Sequence, residues 1–157
     1  MAVLKTFVLP AVDQKPAPPK VGFSMTYAQR CAAGKALRER CPRKAHSVWK
    51  AAPNRRDAVQ QVLDAEKGRM PELLPLRHGR MARSAFTFYR GAALTMAADL
   101  ASTPSTGVRV QCCGDAHLSN FGGFATPERK IIFAINDLDE TLPAPWEWDL
   151  KRLAASF

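Results

Sequence analysis

The sequence predicts a mixed α/β chain of the α+β kind, in which N-terminal helices precede a small sheet carrying two acidic loops and a C-terminal helix closes the order. Three observations lead there. Apolar residues recur at threes and fours in 59–63 and 86–100, give way to short β-rich runs at 108–112 and 130–135, and return to a helical pattern after Pro145. Both β-rich runs deliver the chain to aspartates, in Gly114-Asp115-Ala116-His117-Leu118-Ser119-Asn120 and in Asn136-Asp137-Leu138-Asp139-Glu140. At 157 residues the chain is long enough for one domain with a core and too short for two substantial ones.

Taken in order, residues 1–25 carry Pro10, Pro16, Pro18 and Pro19 without apolar periodicity and read as a disordered leader. A basic, weakly amphipathic helix follows from Thr26 to about Arg40, with Ser24 or Thr26 as N-cap and Pro42 past its end. Residues 42–56 read as loop. A second helix begins near Asp57, with Val59, Val62 and Leu63 as its apolar stripe, whereas Pro71 and Pro75 make 70–81 irregular. The strongest helix starts after Ser84 and runs through Asp99, with Phe86, Tyr89, Ala93, Met96, Ala97 and Leu100 on one face. Gly91 in its middle costs about 1 kcal/mol relative to alanine and requires a packing reason, the simplest being another backbone close by. Val108 to Cys112 alternates as a strand, Gly122-Gly123 marks a loop, and Lys130 to Ile135 reads as a buried strand. The last helix begins around Trp146.

Composition limits the function classes. No apolar run approaches the length of about eighteen residues that a membrane span needs, and Met1 to Val12 lacks the basic start and cleavage pattern of an export signal. Cys31, Cys41, Cys112 and Cys113 form no disulfide framework, so a reducing, cytoplasmic setting is expected. Cys31, Cys41 and His46 match no usual zinc spacing. The net charge of +9 is uneven: residues 1–80 hold 16 Lys and Arg against 6 Asp and Glu, residues 81–157 hold 7 against 8. The basic section, 26–80, is read first as a solvated surface, with nucleic acid or an acidic partner as the alternative.

The acidic section, 81–157, carries the chemistry. Asp115, Asn120 and Asp137 follow the order of the carboxylate, carboxamide and second carboxylate of a phosphoryl-transfer site, where one Asp orients the acceptor hydroxyl and the Asn and later Asp hold Mg²⁺. Taken singly, Asp115 after Gly114 reads as a turn residue and Asn120 as a turn or cap, and it is the combination that points to function. Asp139 is a further metal-ligand candidate. His117, the second catalytic candidate, suits magnesium poorly and is expected to hydrogen-bond the loop or a carboxylate and fix the loop's shape. Arg90 is a candidate anchor for a phosphate or carboxylate of a cofactor, or one half of a structural ion pair.

Gly114 to Asn120 resembles the G-D-x-H-x-x-N motif of aminoglycoside phosphotransferases and other small-molecule kinases of the protein-kinase-like fold. The segments Phe86-Thr87-Phe88-Tyr89-Arg90-Gly91, Cys113 to Gly122, Asn136 to Pro143 and Pro145 to Leu153 resemble more closely the uncharacterised bacterial family called domain of unknown function 2252. The resemblance implies part of a kinase-like fold over 26–157, with Asp115 as acceptor-orienting base, Asn120 and Asp137 as metal ligands and Mg²⁺ and ATP as cofactors. The acceptor small molecule does not come with it. Asp149 resembles the buried aspartate that anchors the catalytic-loop backbone in such folds; a carboxylate favoured in a helix's first turn explains it equally.

The departures are specific. Cys113 stands where small-molecule kinases often have His, and the long step from Asn120 to Asp137 lets Asp139 compete as the metal ligand. No G-x-G and no V-A-I-K-like strand precede the loop. The chain is therefore expected to be the N-terminal part of a longer protein and a weak ATP binder alone. Two alternatives are a metallophosphoesterase-like hydrolase, since G-D-x-H occurs there too, and a non-enzymatic basic module binding nucleic acid or an acidic partner.

Overall fold

The computed structural model describes residues 25–157, so the leader expected over 1–25 lies, apart from Met25, outside the described residues. Helix α1, Tyr27–Arg40, is capped by Thr26, whose hydroxyl accepts from Gln29 N while the Gln29 side chain accepts from Thr26 N. That reciprocal cap, the alanine content and Arg38 and Arg40 in the last turn sustain a helix that buries no residue. A 3₁₀ turn, Arg43–Ser47, leads to α2, Ala58–Ala65, capped by Asp57.

The expectation of irregular chain over 70–81 is corrected. A 3₁₀ turn at Pro71–Leu73 runs into α3, Leu74–Met81, and both prolines sit in first turns, where no intrahelical N–H is lost. The single helix expected from Ser84 to Asp99 is two helices, α4 (Ala85–Gly91) and α5 (Ala93–Leu100), broken at Ala92. Ser84 is the N-cap of α4 and forms a capping box with Thr87. What requires Gly91 is a side chain rather than a backbone: a Cβ there would stand 2.7 Å from the Met81 sulfur. The Gly91 carbonyl also accepts from Arg77 Nη2 at 2.6 Å.

In place of one small sheet, the described residues form two separate antiparallel pairs. Strand β1, Arg109–Cys112, pairs with β4, Leu142–Pro145, and β2, Phe121–Ala125, pairs with β3, Ile131–Ile135. Gly122 and Gly123 therefore lie in a strand, opposite Ala134 and Phe133. Strand β3 is not buried: Ile131 and Phe133 are 86% and 76% exposed. The strand thus shows the apolar composition of a core strand without a covering layer among the described residues. Helix α6, Glu147–Ala155, ends the order.

The main core joins α5, β1, β4 and α6 through Leu100, Cys112, Ala144 and Trp148, with Met96, Ala97, Ala101 and Leu142 packed on it. Fully burying a leucine-sized side chain such as Leu100 stabilises by about 1.5–3 kcal/mol, and the alanines contribute less. It also sets the start of α6 beside the end of β1, which places the first acidic loop. A second cluster, Val62, Met81 and Ala92, ties α2 to the α3–α4 corner.

Candidate active site

The loop after β1 turns at Gly114, whose φ is +82° and where a Cβ would lie 1.9 Å from the Glu140 carbonyl oxygen. No other residue fits that position. The loop's first two amides point at α6: Cys113 N donates to Asp149 Oδ2 at 2.7 Å and Gly114 N to Asp149 Oδ1 at 3.0 Å. Asp149 sits in the first turn of α6 and anchors the loop backbone, so its two sequence readings describe one residue.

Asp115 is held by Arg152, three residues further along α6. Its Oδ1 accepts from Arg152 Nε at 2.7 Å and Nη2 at 2.5 Å. The guanidinium is 2% exposed, lies over the Tyr89 ring at 4.3 Å, and donates to the Tyr89 carbonyl at 2.8 Å. The Tyr89 hydroxyl donates in return to the Arg152 carbonyl. Burial pushes the Tyr89 hydroxyl pKa above its ordinary value.

His117 is buried beside this pair, its Nε2 3.5 Å from Asp115 Oδ2. Arg90 Nε donates to that nitrogen at 3.4 Å, so the neutral ring carries its proton on Nδ1, which has no partner. Burial lowers the His117 pKa, with Arg90 and Arg152 adding to the effect against the pull of Asp115. Its backbone does the loop-shaping: His117 N donates to Asp115 O at 2.8 Å and Asn120 N to His117 O at 2.9 Å. Arg90 is exposed and has no carboxylate partner among the described residues, so the ion-pair reading of this residue is set aside in favour of the contact with His117.

Asn120 joins the two acidic loops. Its buried carboxamide donates to Asp115 O at 3.0 Å and to Asp137 O at 3.1 Å. Asn136 N donates to Asn120 O at 2.9 Å, and the Cys113 thiol donates to Asp137 O at 3.4 Å. Asp137 Oδ1 accepts from Asp139 N at 3.1 Å, and both of these aspartates are exposed. Asp115, His117, Arg90, Asn120 and Asp137 thus form one network, to which Asp139 is tied by its backbone N–H. Burial pushes the Cys112 thiol up to about 11 and raises Cys113 as well, which keeps both protonated and unsuited to nucleophilic attack at neutral pH.

Sequence reasoning missed Arg152 and Ser156, whose hydroxyl accepts from Leu118 N at 2.9 Å. A signal existed for Arg152, since Asp149 and Arg152 are spaced to share one helix face. Among the described residues no group of three or more His, Cys, Asp or Glu converges on a metal position. The oxygens on offer are those of Asp137 and Asn120, whose Nδ2 is committed to two backbone carbonyls and leaves Oδ1 as the acceptor. Carboxylate and carboxamide oxygens are of the hard type that Mg²⁺ takes alongside waters and phosphate oxygens. Elsewhere, Cys41 Sγ meets His46 Nε2 at 3.3 Å while Cys31 is exposed.

Fold and site define a mixed α/β chain with two acidic loops, one tied to a C-terminal helix and the two joined by a buried asparagine. The chain belongs to the bacterial family described as "Uncharacterized protein conserved in bacteria (DUF2252)", which matches it over residues 69–157. No curated protein and no solved structure matches it. No helix among the described residues is long and apolar enough to cross a membrane.

Proposed function

We propose that this chain carries the acceptor-and-metal half of a Mg²⁺- and ATP-dependent, kinase-like small-molecule phosphotransferase site. The observation that carries the reading is the Asn120 carboxamide, which donates to Asp115 O and Asp137 O and so brings the two acidic loops to one place. In this reading Asp115 accepts the hydrogen bond of the acceptor hydroxyl and takes its proton as the oxygen attacks the terminal phosphorus and the nucleoside diphosphate leaves. Arg152 holds Oδ1, which leaves Oδ2 as the oxygen for the acceptor. Asp137 and Asn120, with Asp139 as a second carboxylate, would hold Mg²⁺, which supplies charge neutralisation for the phosphates. Arg90 offers its exposed guanidinium to a phosphate oxygen, and His117 keeps the loop in shape.

Titration calorimetry of ATP with and without Mg²⁺ tests this. The expected result is weak binding that Mg²⁺ strengthens, with the Mg²⁺-dependent increment lost in Asp137→Ala and retained in Asp115→Asn. The absence of any Mg²⁺ increment, or its survival in Asp137→Ala, would overturn the reading.

A further inference from the structure

A cleft of about 280 Å³ shares no residue with the Asp115 network. Trp49, Asn54, Arg55, Arg56 and Gln61 line it from the basic section, and Asp99 from the end of α5. Arg55 stands 5.8 Å from the Trp49 ring centroid and is fixed there by both Asp99 oxygens, at 2.6 and 2.8 Å. Trp49 as a residue is nonetheless 52% exposed. Gln61 is 3% exposed; its Nε2 donates to Arg56 O at 3.0 Å, and its Oε1 has no donor. The cleft therefore combines an accessible aromatic ring with an unmet hydrogen-bond acceptor.

The chain leading into this cleft is strongly cationic. Residues 25–50 hold seven Lys and Arg against one acid, Glu39. Among the described residues, none of Arg30, Lys35, Arg38, Arg43, Lys44 and Lys50 has a carboxylate partner. An anionic bilayer would call for an apolar helix face to insert, and α1 is built mainly of alanine, glycine and charged residues. A protein partner would draw its energy from a cluster of aromatic and aliphatic anchors, which α1 lacks. Phosphates need only cations, and an unstacked base needs a ring to lie on and a polar group to meet. A duplex keeps its base faces stacked and hidden; a single strand offers them.

We propose that residues 25–56 and the Trp49 cleft form a binding surface for single-stranded nucleic acid, with phosphates along the unpaired cations and one base on Trp49 presenting an N–H to Gln61. The test is fluorescence anisotropy of a labelled oligothymidylate of about twelve nucleotides, a length within the usual single-strand site sizes. With about four phosphates neutralised, affinity falls about 50-fold between about 50 and 200 mM salt. Trp49→Ala weakens binding about tenfold or more with the salt slope unchanged. Lys44→Glu with Lys50→Glu flattens the slope. All three positions are exposed, and circular dichroism verifies that the variants fold. The proposal is overturned by no binding at low salt, by unchanged affinity in Trp49→Ala, by tighter binding of a duplex of the same length, or by equal binding of labelled polyglutamate.

Discussion

A guanidinium that is 2% exposed must have its charge and its donors met inside the protein, and Arg152 meets them with Asp115, the Tyr89 carbonyl and the Tyr89 ring. Truncating one partner of a buried pair leaves the other uncompensated, so Arg152→Ala is expected to cost about 3–5 kcal/mol in urea unfolding. Arg152→Lys recovers little of it, because one ammonium cannot span the positions that the fork reaches. A loss under about 1 kcal/mol in Arg152→Ala would mean that the pair is not formed. The cap at Ser84, and that at Thr26 with Ser24 as its alternative, were legible in the sequence because a cap is a local event, settled within three residues. Arg152 was not, because its partner Asp115 lies 37 residues away in the chain and only the packing of α6 on β1 and β4 brings them together.

Elements whose signals are periodic were legible too: α1, α2, β1, β3 and α6 fall where the pattern puts them. Strand β4 was hidden by Pro143 and Pro145, which a two-stranded pair tolerates where the missing N–H would point away from the partner. Gly122 and Gly123 concealed β2 in the same way; a Cβ at Gly122 would meet the Asn136 amide at 2.5 Å, so the glycine admits the second acidic loop close to the strand. The break between α4 and α5 has no proline to announce it, and its only trace is Gly91, whose need is a contact with Met81 that no local pattern encodes. At this scale the join of β1 to α6 rests on Asp149. Charge-assisted bonds to two backbone amides are worth about 1.5–3 kcal/mol each, so Asp149→Ala should raise hydrogen exchange at Cys113 and Gly114 by at least about tenfold while the β2–β3 amides keep their protection. Unchanged exchange at those two amides would show that the loop is held by something other than α6.

Across the whole molecule, charge and chemistry are separated. The basic surface lies in residues 25–56 and the acidic loops lie in residues 113–140. Helix α5 touches the first through Asp99, bonded to Arg55, and the second only by way of α6, with Met96 beside Arg152, the partner of Asp115. The order of these sections was legible because composition changes along the chain; that the strands pair as two separate ladders was not, since pairing is set by which faces meet. The central claim is that Asn120 and Asp137 form one hard-oxygen site beside Asp115. Mn²⁺, a paramagnetic stand-in for Mg²⁺, tests it most directly through backbone amide spectra of the chain. Selective broadening at Asn120, Asp137 and Asp139, reversed by excess Mg²⁺ and absent in Asp137→Ala, is the predicted result; broadening that is absent there, or unaltered in Asp137→Ala, would contradict the account.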